Sequence, residues 1–438
     1  MTKKKNILLW KFADHYTRGL KDHLADDLEI KVWIDKKKFK VPTHHMDDLY
    51  KQLKFSGHSP RLNMDYQHQK TFVDIYRKVM RHTNVFMYMY SRYPALNGEH
   101  NFIDMMDAMH VYTHQFIDIL TTHHIDYVFM SRIPHRGPDL ILYLVAKALG
   151  IKVFMLQQAI LKGKAFLATD MHEVGSLASE KEDLKPEKIQ QKHRNALYSI
   201  STRRRTNPYL KAFLYLFRFD LDLLLYQIMN ARKSSEFKRN YTSALAGSLP
   251  QGKFVYFALH LQPELTTVSW GGEFVDQVLA IEHLRSLLPQ DWSIVVKENP
   301  LQTFHSRGPL FFARLKKIPG VFYVGKETDT FDLIEKAEFV STVTGTVGME
   351  ALRFGKRVLV FGSAPYKEFP GVIRYSDRLT LDDILSVQFT HQEVELAHAR
   401  QKSNMVDAVT TPDGAKAEDF SAEDNFRNLA EIINNATR

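Results

Sequence analysis

The run Ser341-Thr-Val-Thr-Gly-Thr-Val-Gly-Met-Glu-Ala-Leu352, continued by Arg353-Phe-Gly-Lys-Arg-Val-Leu-Val-Phe-Gly362, leaves the backbone few choices. Phe339 to Val343 and Val358 to Phe361 are short, unbroken apolar runs, which is how strands buried on both faces of a parallel sheet read. Between them a Thr-Gly-Thr turn opens a short helix, and Gly355 closes it. A helix leaving such a turn offers unpaired N–H groups to an anion. Thr344, Gly345, Thr346 and Gly348 form a phosphate cradle in this reading. Glu350, four residues after Thr346, shares its helix face within reach of sugar hydroxyls. An ordinary α/β turn, with Thr346 as N-cap and Glu350 complementing the dipole, accounts for the same residues.

The chain has 438 residues, 44% hydrophobic and 25% charged, enough for two domains with cores of their own. The absence of cysteine excludes disulfides, thiolate metal sites and a thiol nucleophile. After Met1-Thr-Lys-Lys-Lys-Asn the apolar run is only Ile7 to Trp10 before Lys11 and Asp14, too short for a secretion signal, so a cytoplasmic location is expected. A net charge of +9 calls for an anionic partner: a phosphorylated substrate, an acidic membrane face or nucleic acid. Arg203-Arg-Arg205 precedes an apolar stretch from Tyr209 to Met229, and Arg232-Lys233 and Lys238-Arg239 follow it. Lys211, Arg218, Asp220 and Asp222 lie inside the stretch, and at about 3 kcal/mol each near a helix centre they disfavour spanning. Residues 203–239 therefore read as a segment lying on the inner membrane face, or as a packed helix with basic flanks. The clusters lack any recognition element for nucleic acid.

Strand-helix alternation appears twice. Asn6–Trp10, Leu28–Ile34, Ile125–Met130 and Lys152–Leu156 read as strands of a first half, with a helix over Leu140–Leu149 stopped by Gly150. In the second half the strands are Phe254–Leu259, Ser293–Val296 and Val321–Val324, with helices over Phe274–Leu288, Leu310–Lys317 and Thr330–Ala337 leading into the opening motif. This predicts two parallel sheets wrapped by helices. The expected division is 1–174, a helical basic connector over 175–250, 251–385, and a tail with a last helix over 386–438. Residues 36–120, rich in His, Tyr and Met, show no clean period.

Open α/β sheets bind ligands beyond the carboxyl ends of their strands, and three polar loops fall there in the second half. They are His260-Leu-Gln262-Pro-Glu264 with Gly271-Gly272, Lys297-Glu-Asn299-Pro, and Thr344-Gly-Thr346. Lys297 can neutralise phosphate and Asn299 can hydrogen-bond it; taken singly, each loop also reads as a solvated pair or a plain turn. In the first half the equivalent groups are Asp14-His15 and Ser131-Arg-Ile-Pro-His135-Arg136, where His135 and Asp14 are candidate bases. Asp220-Leu-Asp222 sits in an apolar stretch, and His110-x3-His114, His44-His45 and His123-His124 are chance-level spacings among 20 histidines, so no metal site is expected.

Phe257-Ala-Leu-His-Leu-Gln-Pro-Glu264, Trp292-Ser-Ile-Val-Val-Lys-Glu-Asn-Pro300 and Thr342 to Leu352 through Pro370-Gly-Val372 resemble the bacterial capsule and surface polysaccharide biosynthesis glycosyltransferases, as do Ile133-Pro-His135 and Tyr143 to Lys152. The resemblance implies two Rossmann-like domains facing each other across a cleft. It implies a nucleotide-sugar donor, CMP- or UDP-linked, in the second domain, a glycan or glycolipid acceptor in the first, and transfer with neither metal nor cofactor. His260, Gln262, Lys297 and Asn299 would then hold the donor with the Thr344–Glu350 cradle, and Asp14, His135 and Glu264 become the catalytic candidates. Asn299 stands where relatives carry a His before Pro, which keeps a donor but no charge. A nucleotide-sugar epimerase of the same architecture and a non-catalytic glycan binder remain open alternatives.

Overall fold

The computed structural model describes residues 4–12, 18–35, 44–45, 69–90, 102–177, 184–186, 221–262, 264–411 and 420–438. The chain divides into two compact units: Met1–Asp183 with Val268–Trp270 and Arg400–Arg438, and Leu184–Thr267 with Gly271–Ala399.

The strands of the first unit are β1 (Lys5–Trp10), β2 (Leu28–Asp35), β3 (His44–His45), β4 (Tyr127–Met130), β5 (Lys152–Gln158) and β6 (Lys164–Ala168), with β13 (Val406–Asp407) returning from the chain end. They form one seven-stranded sheet in the order β13-β6-β5-β4-β1-β2-β3. Ile7, Leu8, Leu9 and Trp10 have no exposed surface, so β1 lies at the centre, paired in parallel with β2 on one side and β4 on the other. Helix α1 (Gln69–Met80), α2 (Thr83–Tyr90), α3 (Phe102–Thr122) and α4 (Gly137–Ala148) belong to this unit. At the start of α4 a Cβ on Gly137 would come within 2.7 Å of the Phe86 ring and 2.9 Å of Tyr90, so only glycine lets α2 approach. Its end is set by Gly150, whose φ of +77° is open to glycine at little cost.

The last helix, Ala422–Ala436, is capped by Ser421 and buries Leu429, Ile432 and Ile433 against Ile7, Leu9 and Phe129. Asn434 accepts from Ala25 N at 3.0 Å, and Phe426 fills the space a side chain at Gly19 would need. The region set apart in the sequence as 386–438 is thus shared, because an amphipathic helix must bury its apolar face and the first sheet supplies the cover.

The second unit has β7 (Phe254–Ala258), β8 (Ser293–Lys297), β9 (Val321–Val324), β10 (Val340–Thr342), β11 (Val358–Val360) and β12 (Val372–Arg374), all parallel, in the order β12-β11-β10-β7-β8-β9. Both sheets share the order 3-2-1-4-5-6 typical of Rossmann folds, with β5 to β6 turning antiparallel in the first. Of the basic connector, residues 203–220 lie outside the described residues, and Leu221–Ala244 is a helix whose Phe237, Tyr241 and Ala244 pack on the second core. No helix among the described residues is long and apolar enough to cross a membrane.

Candidate functional site

In a sheet ordered 3-2-1-4-5-6 the connections run outward in opposite directions from the two central strands, which leaves a crevice at their carboxyl ends. In the second unit those strands are β7 and β10, and in the first β1 and β4. The loops leaving them carry His260, Thr344–Thr346, Lys11 and Ser131–Asp139. Of the sequence candidates, His260 and Thr344–Thr346 lie at the second-unit switch point and His135 at the first.

In the second unit His260 ties β7 to β10. Its Nε2 accepts the Thr344 N–H at 2.9 Å and lies 3.0 Å from the Thr342 hydroxyl. An acceptor at Nε2 requires the neutral ring with hydrogen on Nδ1. Burial, with Arg307 adding to it, lowers the His260 pKa to about 4. The backbone of His260 is held by Gln277, and its carbonyl also accepts from Arg307 at 3.1 Å.

Arg307 is the hub of this framework and escaped the sequence reading. It is fully buried, paired through Nε and Nη2 with the equally buried Glu298 at 2.8 and 3.3 Å, and Nη1 reaches Gln262 Oε1 at 2.5 Å. Tyr323 OH also donates to Glu298, 2.9 Å away, and the guanidinium lies over the Phe311 ring. Gln262 spends its amide on Val275 O at 2.6 Å. His260 and Gln262 therefore build the loops instead of presenting free groups. An Arg before Gly308-Pro309 carries no local signal that it will turn inward onto a residue nine positions earlier.

Three other candidates keep unused donors. Lys297 gives one hydrogen bond, to Thr330 Oγ1 at 2.9 Å, and its ammonium has two N–H groups more. Burial lowers its pKa, against the pull of Asp329, Glu350 and Glu327. Asn299 uses Oδ1 on Leu301 N at 3.0 Å and leaves its NH2 available. Thr346 occupies the N-cap position of the Val347–Arg353 helix but makes no side-chain cap bond, so capping does not explain its hydroxyl. Gly345 and Gly348 are demanded by packing: a Cβ at Gly345 would meet Thr342 Oγ1 at 2.8 Å, and one at Gly348 would meet Tyr366 OH at 2.3 Å. Tyr366 donates to Gly345 O and so braces the turn from behind. Glu350 is buried, near enough to Tyr366 to help burial raise that phenol's pKa. Glu264 is half-buried at the N-cap of Leu265–Trp270, without a cap bond.

In the first unit Asp139 is wholly buried and accepts from Trp10 Nε1 at 3.0 Å, from Lys11 Nζ, and from Arg136 N at 3.2 Å. Burial acts to raise its pKa, but Lys11 and His135 outweigh that and hold it well below the usual range. His135 Nδ1 lies 3.4 Å from Asp139 Oδ2, close enough for an ion-pair contact when the ring is charged but without hydrogen-bond geometry. Burial lowers the His135 pKa to about 4. Lys11 adopts φ of +59°, uncommon for a non-glycine residue. Asp14 lies outside the described residues. His110 and His114 join an aromatic cluster, with Phe72 stacked on His114 at 3.6 Å.

Residues 251–406 match the family model described as capsule polysaccharide biosynthesis protein. Over that stretch the chain is similar to capsule polysaccharide biosynthesis proteins. The matched stretch spans the second-unit site, from β7 past the Thr344–Thr346 turn, and bears out the resemblance carried by the motifs of the second half. No curated protein matches. Among solved structures, similar ones include Thermosulfurimonas dismutans KpsC, beta Kdo 2,7 transferase, at 13% identity over 73% of this chain and 89% of that one, TM-score 0.34. The beta Kdo 2,4 transferase of the same KpsC gives 13% identity over 65% and 85%, TM-score 0.31. UDP-GlcNAc 2-epimerase from Neisseria meningitidis bound to UDP-GlcNAc gives 15% over 100% and 99%, TM-score 0.25.

Proposed function

We propose that this protein is a glycosyltransferase of capsule or surface polysaccharide synthesis, moving a sugar from a nucleotide donor to a glycan or glycolipid acceptor. The observation that carries the reading is the coincidence of the capsule-biosynthesis match with a sheet edge where Lys297 and Asn299, after β8, and Thr346, after β10, retain unused donors. Negative charge develops on the departing nucleotide phosphate, and preorganised donors there supply most of the rate. Lys297 would meet that charge while Asn299 and Thr346 orient the phosphate oxygens. His135, kept neutral by burial beside Asp139, is the candidate to accept the acceptor's hydroxyl proton.

The reading is tested by thermal shift against CMP, UDP, GDP, dTDP and their sugar conjugates, since a ligand bound by the native state alone raises stability. One nucleotide class should raise the melting temperature, with N299A and T346A each weakening it about tenfold, the order of a lost hydrogen bond to a charged group. Unchanged affinity in both variants would remove the site assignment. Donor consumed without acceptor would instead indicate an epimerase. In this reading transfer is metal-independent, so it persists in EDTA; abolition that magnesium or manganese restores would overturn that part. Exposed Arg232, Lys238 and Arg239 support contact with an anionic membrane face. Co-sedimentation with phosphatidylglycerol vesicles, absent with phosphatidylcholine alone, is the expected result.

A further inference from the structure

The switch point of the first unit holds donors that its internal bonds leave over. Ser131, at the carboxyl end of β4, is fully buried, and its hydroxyl has no hydrogen-bond partner; Arg132 Nε beside it is likewise buried and unpartnered. A buried donor without an acceptor is costly, and in a native fold it needs an explanation such as a missing ligand. Ser131 N bonds Trp10 O at 3.1 Å, which sets these two residues beside Lys11 across the crevice. Lys11 feels Asp139 against Arg136 and Arg132, and His135 feels Asp139 against Lys11 and Arg132. Asp139 already accepts from Trp10, Lys11 and Arg136 N. Asp35, the buried carboxylate at the end of β2, lies on the other side of β1. The crevice between β1 and β4 is thus cationic among the described residues. Lys11 stands in it with a strained left-handed backbone, a feature that persists where surrounding structure imposes it and that collects at ligand sites.

We propose that this crevice binds the anionic group of a sugar, carboxylate or phosphate, with Arg132 and Ser131 donating to it and Lys11 and Arg136 supplying charge. The planar fork of an arginine suits both groups. Calling that ligand the acceptor rests on the transferase reading; the binding itself does not.

The test is calorimetric titration of the full chain with methyl β-D-glucuronide, glucose 6-phosphate and neutral methyl β-D-glucoside, each with and without the nucleotide that the second unit binds. At least one charged sugar should bind saturably while the neutral one does not, and the preferred one tells carboxylate from phosphate. Arg132→Gln should weaken binding tenfold or more. Ser131→Ala, which removes only the orphaned hydroxyl, should weaken it less. Arg81→Gln, which removes the same charge from an exposed face of the unit, should change nothing. Binding of no charged sugar under either condition, equal affinity in Arg132→Gln, or equal loss in Arg81→Gln would each overturn the proposal. Nucleotide affinity is read in the same samples. Its survival alongside failed sugar binding sinks this inference alone, whereas its absence from the wild-type chain sinks the transferase reading.

Discussion

His260 makes the second-unit site sensitive to acid in a way that can be worked out from its contacts. Its ring is neutral because Nε2 must accept the Thr344 N–H; a proton placed there would set two N–H groups against each other at 2.9 Å. The folded pKa is about 4, and an unfolded histidine titrates near ~6.5. Between those values the unfolded chain binds more protons, so stability rises with pH. The contribution is complete above the unfolded pKa and is lost as pH falls toward the folded one. For these two values the loss from pH 7 to pH 5 is about 2 kcal/mol. Hydrogen exchange by mass spectrometry, followed on peptides covering 254–262 and 340–348 and corrected for intrinsic rates, reads this locally. His260→Gln keeps an acceptor near the Nε2 position without the titration. Its opening free energy should start lower at pH 7 and then fall by about 2 kcal/mol less than that of the wild type on going to pH 5. Equal pH slopes in the two proteins would show that His260 does not hold the turn as a neutral acceptor.

The buried pair gives a second prediction: Arg307→Met strands the Glu298 carboxylate and should cost about 3–5 kcal/mol in urea unfolding of the second unit. A loss below about 1 kcal/mol, the level of an exposed ion pair, would contradict its burial. Gly348→Ala drives a methyl into Tyr366 and should destabilise by about 1–3 kcal/mol as well as weaken nucleotide binding; a variant with native affinity and melting point would mean the turn is loose. In the first unit, Ile433→Ala removes a contact to Ile7 and Leu9 and should cost about 2–5 kcal/mol. A neutral result would place the last helix off the sheet.

Elements with a strong local signature were legible from sequence. Val321–Val324 has the expected ends, and the strands flanking the Thr344 turn differ from expectation by a residue or so at their ends, because continuous apolar runs between glycines and charges admit little else. Residues 36–120 resisted for a physical reason seen in α3. There Ala108, Met109, Val111, Tyr112, Thr113 and His114 are all buried, so the helix is covered on several sides and shows no single apolar stripe. The same environment turned a metal-like His110-x3-His114 spacing into aromatic packing. Asp139 was half legible: Gly137-Pro138 announces a helix start, and an acid at the third helical position is a known partner for the residue before it. That it would also collect Trp10 and Lys11 from β1 depends on which strands become neighbours.

The strand-end residues of the second unit show where sequence reading reaches its limit. Strand-end position correctly brought His260, Gln262, Lys297, Asn299 and Thr346 to one sheet edge, since the order 3-2-1-4-5-6 follows from short right-handed crossovers. Position says nothing about whether a polar atom is already engaged. Arg307 decides that here, by binding the Gln262 side-chain oxygen and the His260 carbonyl. With Arg307 paired to Glu298, those two residues become rigid framework, and the donors still available for a ligand are those of Lys297, Asn299 and Thr346. In the proposed transferase, a loop that leaves a strand end and grips phosphate needs both kinds of residue. The first kind keeps the second in place, and a preorganised donor is what distinguishes stabilising a departing phosphate from merely attracting it.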